Sequence, residues 1–277
     1  MKTRPDDIPH DSICVLGIPH DGNSSFLKGP AHAPQTIRQG YFSASSNLWT
    51  ESGMDLGSCD VFYDMGDLDF FDTDDDFQLI TTSVRRILEN RNHLICLGGD
   101  HAITYPVIRS YSAVYDTLTI LHLDAHPDLY DRLDGNPYSH ACPFARILEE
   151  FPKTRLIQAG IRTFNGHQRE QANRFNVEVH EAKDGLSWFE TLHINAPVYL
   201  SIDLDCLDPA FAPGVSHHEP GGLSTREVLH IIQNLNGRII GADIVEYNPA
   251  RDLNQVTAMV AAKLLKETAA RMIQDRQ

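Results

Sequence analysis

The sequence lacks what would hold a small secreted protein or a membrane protein together. Its five cysteines, at positions 14, 59, 96, 142 and 206, form no CxxC pair and are odd in number. That argues against a disulfide framework and for free thiols in a reducing cytoplasm. No apolar run approaches the roughly 20 residues of a membrane helix, and the opening stretch from Met1 to Asp7 has no apolar core of a signal peptide. There is no Walker loop and no GxGxxG, so a nucleotide fold of the usual sort is unsupported. No Pro/Gly/Ser linker, internal repeat or low-complexity tract divides the chain, which predicts one domain over residues 1–277. Positive charge is scarce: 23 Lys and Arg against 38 Asp and Glu leave a net charge of −15. That balance argues against nucleic acid or an anionic membrane as the main partner.

Glutamate is scarce as well. The 38 acids are 26 Asp and 12 Glu, beside 14 His. A solvated acidic surface usually leans on Glu, which suits helices better than Asp. The surplus of Asp with His points weakly to metal or acid–base chemistry, since Asp also serves in turns and caps. Short apolar runs at 13–18, 60–67, 93–97, 118–123, 155–160, 177–180, 198–202 and 238–245 alternate with amphipathic stretches at 77–90, 102–115, 143–151, 166–175, 187–193, 225–235 and 254–275. This predicts an α/β fold: three layers, α/β/α, around a mostly parallel sheet of about eight strands. In the last helix, Val256, Met259, Val260 and Leu264 fall on one face. The acidic run Asp72-Thr73-Asp74-Asp75-Asp76 reads as a solvated turn capping the helix at 77–90.

Three strand ends carry polar clusters: Gly98-Gly99-Asp100-His101, Asp124-Ala125-His126-Pro127-Asp128, and Asp203-Leu204-Asp205. In extended backbone, residues two apart point to one face, so each DxD-type pair would converge. Ligands of open parallel sheets collect beyond the carboxyl ends of the strands. Four carboxylates crowded there would have to stay partly protonated unless cations balance them, and two divalent ions supply +4 against −4. Oxygen ligands with two imidazoles and no thiolate favour Mn²⁺, with Fe, Co or Ni as alternatives and Zn less suited.

These three motifs resemble the signatures of the ureohydrolase family, which holds arginases, agmatinases and formimidoylglutamases. The resemblance extends to Gly29-Pro30-Ala31-His32-Ala33-Pro34, Gly221-Gly222-Leu223 and Gly241-Ala242-Asp243-Ile244-Val245-Glu246-Tyr247-Asn248-Pro249, nearly the whole chain. It implies an arginase-like sheet, two Mn²⁺ per chain and a trimeric or hexameric homo-oligomer. It places His101 and Asp128 as terminal ligands of one metal, His126 and Asp205 as terminal ligands of the other, and Asp124 and Asp203 as bridges. The implied reaction is attack of a metal-bridging hydroxide on the guanidino carbon of a small guanidino compound, releasing urea and an amine. His140, in Ser139-His140-Ala141-Cys142-Pro143-Phe144, takes the place of a proton-shuttling His. Glu246 takes that of the acid that accepts the guanidinium hydrogen bonds. Several residues keep a plain structural reading: His122 as a core residue or support for a ligand, Cys142 as a buried small residue, Arg162 in a structural or interface ion pair, and Trp49 and Trp188 in packing.

The chain departs from the family pattern at Gly214-Val215-Ser216-His217-His218-Glu219-Pro220, where Gly-Thr-Gly-Thr-Pro is usual. His217 replaces the Thr that touches the guanidinium, and His218 reads as solvated. Tyr130 stands near where arginases hold the substrate carboxylate with an Asn. The stretch 163–168, with Asn165, stands where they place acids for the α-amino group. These departures predict an agmatinase-like enzyme, acting on agmatine or an ω-guanidino acid, with His217, Glu219, Tyr130 and Asn165 touching substrate. A formimino-group hydrolase releasing formamide is the alternative that the Gly-Val-Ser start favours. A one-zinc deacetylase-type site leaves His101 and Asp205 unexplained. A non-catalytic, metal-stabilised oligomer subunit leaves the complete ligand set and His140 unused.

Overall fold

The computed structural model describes residues 7–70 and 75–276. Eight strands form one parallel sheet: β1 (Ile13–Ile18), β2 (Phe62–Asp67), β3 (His93–Gly98), β4 (Thr119–Leu123), β5 (Arg155–Ile161), β6 (Glu178–Glu181), β7 (Val198–Asp203) and β8 (Ile239–Val245). Their order across the sheet is β2-β1-β3-β8-β7-β4-β5-β6. The inner strands are buried on both faces and so read as unbroken apolar runs. Within β1, Ile13 and Val15 enter one core layer while Cys14, Leu16 and Ile18 enter the other. The first layer is closed by α1 (Ala33–Tyr41), α7 (Thr225–Asn234) and α8 (Val256–Gln274). The second is closed by α2 (Asp76–Glu89), α3 (Thr104–Ser112) and α4 (Pro143–Glu150). Two further helices, α5 (Gly166–Phe175) and the single-turn α6 (Ser187–Glu190), flank the β6 edge. The edge strands carry acids held by arginines, Arg38 on Asp64 at 2.7 Å and Arg155 on Glu178 at 2.6 Å, which blunts them against further pairing.

Register positions the site. Leu97, Ile244, Ile202 and Leu123 form one row across β3, β8, β7 and β4. The next residue on β7 is Asp203 and the one after β4 is Asp124, so both carboxylates leave the sheet at the same level. His101 and Glu246 follow from the two strands beside β7 on the other side. The ends of four adjacent strands therefore meet at one point of the carboxyl edge.

Several expectations need correcting. Helix α1 was not foreseen: its buried face is Ala33, Pro34, Ile37, Gly40 and Tyr41, and the proline and glycine within it read as turn. The stretch 102–115 divides into a 3-10 turn, His101–Ile103, and α3. Helix α8 does not bury the face of Val256, Met259 and Val260; Val256 is 44% exposed, and the buried set begins with Thr257, Ala258 and Ala261. It packs against both α1 and α7 as well as the sheet, so small residues rather than a β-branched stripe meet the neighbours. Trp49 is 53% exposed rather than packed. Asp75 does cap α2, accepting the Gln78 N–H at 3.2 Å, while the acids at 72 and 74 lie outside the described residues.

Candidate metal centre and active-site pocket

The ligand candidates converge, by a different route from the one their spacing suggests. Asp128 lies beyond β4 with a left-handed φ of 50°, and Asp205 sits in a 3-10 turn, Leu204–Cys206. Irregular backbone, not strand pleat, turns them inward. Asp124 Oδ1 accepts the His126 backbone N–H at 2.6 Å, Asp203 Oδ1 that of Asp205 at 2.8 Å, and Asp205 Oδ1 that of Ala125 at 3.1 Å. Each of these carboxylates thus has one oxygen pinned by the main chain and the other left for the cluster. His101 Nδ1 lies 3.3 Å from Asp124 Oδ2, 3.1 Å from Asp128 Oδ2 and 3.1 Å from Asp203 Oδ2. His126 Nδ1 lies 3.0 Å from Asp205 Oδ2 and 3.4 Å from Asp124 Oδ1. Asp124 faces both imidazoles.

This donor set fits divalent cations. His101 Nε2 is 2.9 Å from Ser201 Oγ, and Ser201 donates its own proton to Asp243 Oδ1 at 2.7 Å. Ser201 can only accept from His101, so Nε2 carries the hydrogen and the Nδ1 lone pair faces three carboxylate oxygens. Lone pair and anions repel unless a cation lies among them. Asp124, Asp128, Asp203 and Asp205 are at most 7% exposed, and no lysine or arginine pairs with them among the described residues. Without a cation, protons must do that work. Burial pushes Asp203 well above the carboxylate range, and neighbouring Asp205 and Asp124 push the same way. Burial and Asp124 likewise raise Asp128. Burial opposes charge on His101 and His126, but the carboxylates outweigh it and raise both.

His122 supports Asp124. Gln158 Nε2 donates to the Pro127 carbonyl at 2.6 Å and meets His122 Nδ1 at 3.0 Å. The ring therefore accepts at Nδ1 and donates from Nε2 to Asp124 Oδ2 at 2.7 Å. Its ligand atom lies near those of His101 and Asp124, but the proton on it fills the position a metal would need.

Above the cluster opens a cavity of about 290 Å³, lined among others by Ser25, Tyr130, His140, His217, Glu219 and Glu246. His140 Nδ1 is 2.8 Å from Glu246 Oε1, which also accepts the His101 N–H at 2.9 Å. Burial works against a proton on His140, but Glu246 outweighs it and pushes the ring up to about 9. Glu246 keeps a left-handed φ of 62°, an uncommon backbone for a non-glycine residue and one that the site holds in place. The His217 ring lies 5.4 Å from that of His140 and 5.7 Å from that of His126, and burial lowers its pKa. His218 turns away, exposed, to the Pro213 carbonyl at 2.7 Å. Asn165 does not line the cavity. It caps α5 and donates to the Tyr130 hydroxyl, so it reaches the pocket only through Tyr130.

Two structural readings change or sharpen. Among the described residues Arg162 makes no ion pair: it donates to backbone carbonyls, Asp205 at 2.6 Å and Glu219 among them, and ties the Asp205 turn to the pocket rim. Cys142 is buried, and burial pushes its thiol up to about 12, so it is no nucleophile. Residues that sequence reasoning missed are Ser25, Gln158, Ser201 and Asp243. The last three had a signal, a polar residue inside an apolar strand run; Ser25 sits in a loop and had none.

The arginase family model matches residues 11–270. "Arginase 1, mitochondrial" of Arabidopsis thaliana is 49% identical over 278 residues, covering 94% of this chain and 81% of its own length. "Agmatinase" of Blochmanniella floridana is 36% identical, covering 92% of this chain and 86% of its own. The solved arginase from Medicago truncatula superposes with a TM-score of 0.88 at 44% identity, over 95% of this chain and 87% of that one. With the match running through every strand and every residue of the cluster, the chain belongs to the arginase family, and it is a ureohydrolase of that family.

Proposed function

We propose that the chain hydrolyses the guanidino group of arginine, giving urea and ornithine, with two Mn²⁺ held by His101, Asp124, His126, Asp128, Asp203 and Asp205. Fe, Co and Ni remain alternatives for the metal. Bound there, the two ions would lower the pKa of a shared water toward neutrality and supply the nucleophile. The chain's own residues bind and steer. The observation that carries guanidino chemistry is Glu246: Oε1 is taken by His101 and His140, and Oε2 has no protein partner among the described residues. A carboxylate edge at the cavity wall suits a planar cationic head group better than a neutral amide. His140, held protonated by Glu246, provides the proton that a departing amine needs.

The sequence departures at Tyr130, Asn165 and His217 pointed to agmatine or an ω-guanidino acid. The closer likeness to plant arginases than to agmatinases supports arginine instead. So does the rim, where Glu219 is the one carboxylate outside the cluster and Glu246, beside hydroxyl and amide groups of Ser25, Tyr130, Thr163 and Gln168. One anion with several neutral donors suits a zwitterionic α-amino acid end at least as well as a lone ammonium. Agmatine is the second reading, favoured by the absence of any lysine or arginine at that rim among the described residues.

A trimeric or hexameric homo-oligomer of one-domain subunits and a reducing cytoplasm belong to the same proposal. The five cysteines are all free, and no helix among the described residues is long and apolar enough to cross a membrane. The plant relatives carry organelle names, so the compartment is tested by localising the protein in its own cell. The test of activity is urea release by Mn-loaded protein from arginine, agmatine and guanidinobutyrate, beside formamide release from formiminoglutamate. Arginine should lead agmatine about tenfold or more in kcat/KM. Formamide in place of urea would establish the formimino alternative, and no turnover of any compound the non-catalytic one.

A further inference from the structure

His140 has both ring nitrogens engaged. Nδ1 lies 2.8 Å from Glu246 Oε1 and Nε2 lies 2.8 Å from Ser25 Oγ. Glu246 Oε1 already receives the His101 N–H, so it acts as an acceptor and Nδ1 carries a hydrogen. In the protonated ring Nε2 carries the other and donates to Ser25 Oγ. The Ser25 hydroxyl proton then has no protein acceptor among the described residues, and Ser25 lines the cavity above the metal cluster. The arrangement is braced from behind. The His140 backbone N–H donates to the Asn23 carbonyl at 3.1 Å, and the Asn23 N–H donates to Asp100 Oδ2 at 2.8 Å. Asp100 is fully buried and holds the loop through its side chain. With neither nitrogen of His140 free, the ring's route to a molecule in the cavity runs through Ser25.

We propose that Ser25 hands the proton to the departing amine, with His140 as the acid behind it. This rests on the guanidino-hydrolase reading. As the C–N bond breaks, its electron pair stays on the amine nitrogen. The Ser25 hydroxyl proton moves to that nitrogen, and Ser25 Oγ takes the proton from His140 Nε2. Turning the guanidinium –NH– into an ammonium requires two protons, and the attacking water supplies both in balance. One of them reaches the amine and the other restores His140.

The test compares Ser25→Ala and Ser25→Thr with the wild type, all Mn-loaded, on arginine and on canavanine, whose alkoxyamine leaving group is far less basic. Ser25→Ala should lower kcat on arginine about 10²-fold, the scale of a lost general acid. The loss on canavanine should be clearly smaller, with KM and manganese content close to wild type. Ser25→Thr, which keeps the hydroxyl, should recover most of the rate. An equal loss on both substrates, a change in KM alone, or an unchanged kcat would overturn the relay. Those outcomes in a protein whose wild type releases urea leave the guanidino-hydrolase reading standing. A wild type that releases urea from no guanidino compound overturns that reading and the relay with it.

Discussion

The cluster of candidate metal ligands and the pocket rim lie side by side and are built in opposite ways. In the cluster, Asp124, Asp203 and Asp205 each give one oxygen to a backbone N–H, and His101 is locked in one tautomer by Ser201 and Asp243. At the rim, Glu219 is anchored through its backbone carbonyl, by Arg162, and its side chain is left to the cavity. Tyr130 is steadied by a stack on His167, with ring centroids 5.6 Å apart, and by Asn165. Fixed strand ends suit a reaction shared by a whole family, whereas loosely tied loop residues can change with the substrate.

Replacing a cluster residue should therefore have the largest effect. Asp124→Asn, which removes the carboxylate facing both imidazoles, should abolish urea release and take bound manganese below two per chain by elemental analysis. Retention of two ions would break the assignment of Asp124 as the shared ligand. Next in size, His140→Asn should lower kcat by about 10²–10⁴-fold while metal stays bound. The same variant should flatten a pH dependence. In the metal-free protein the ring is pushed up to about 9 from an ordinary 6.5. The stabilisation this reflects is complete below about 6.5 and is lost as pH rises through about 9, about 3 kcal/mol in all. Thermal melts of the metal-free protein across that window should decline less steeply in the variant than in the wild type, the remaining decline coming from His101 and His126, which are raised as well.

A smaller effect should come from behind the cluster. His122→Asn removes the N–H that holds Asp124 and should weaken manganese binding about 10–100-fold, measured by competition with a chelator. Unchanged affinity would return His122 to plain packing. The smallest effect should come from the rim: Glu219→Gln should raise KM for arginine about tenfold with little change in kcat. A fall in kcat with KM unchanged would place Glu219 in the chemistry and blur the contrast between the two regions.

How much of this was readable beforehand follows the same division. The parallel sheet and six cluster residues were legible because buried strands leave continuous apolar runs, and polar motifs at their ends stand out against them. The reason offered for convergence was incomplete, since Asp128 and Asp205 owe their direction to a left-handed residue and a 3-10 turn that spacing does not encode. Helix α1 escaped notice because two of its five buried positions are Pro34 and Gly40, residues that read as turn rather than helix. Ser25 escaped because its partner His140 is 115 residues away, and nothing in a loop of small polar residues marks the one that meets it. The reading of Arg162 as an ion pair missed its partners within the chain for a related reason: a cation in sequence suggests an anion, while the partners it has here are carbonyls that only the fold assembles.

The most direct test of the central claim is a calorimetric titration of metal-free protein with Mn²⁺, with bound metal counted after dialysis. Two ions per chain, bound with release of protons from the imidazole–carboxylate cluster, is the predicted result. One ion or none per chain, or two that bind without proton release, would contradict it.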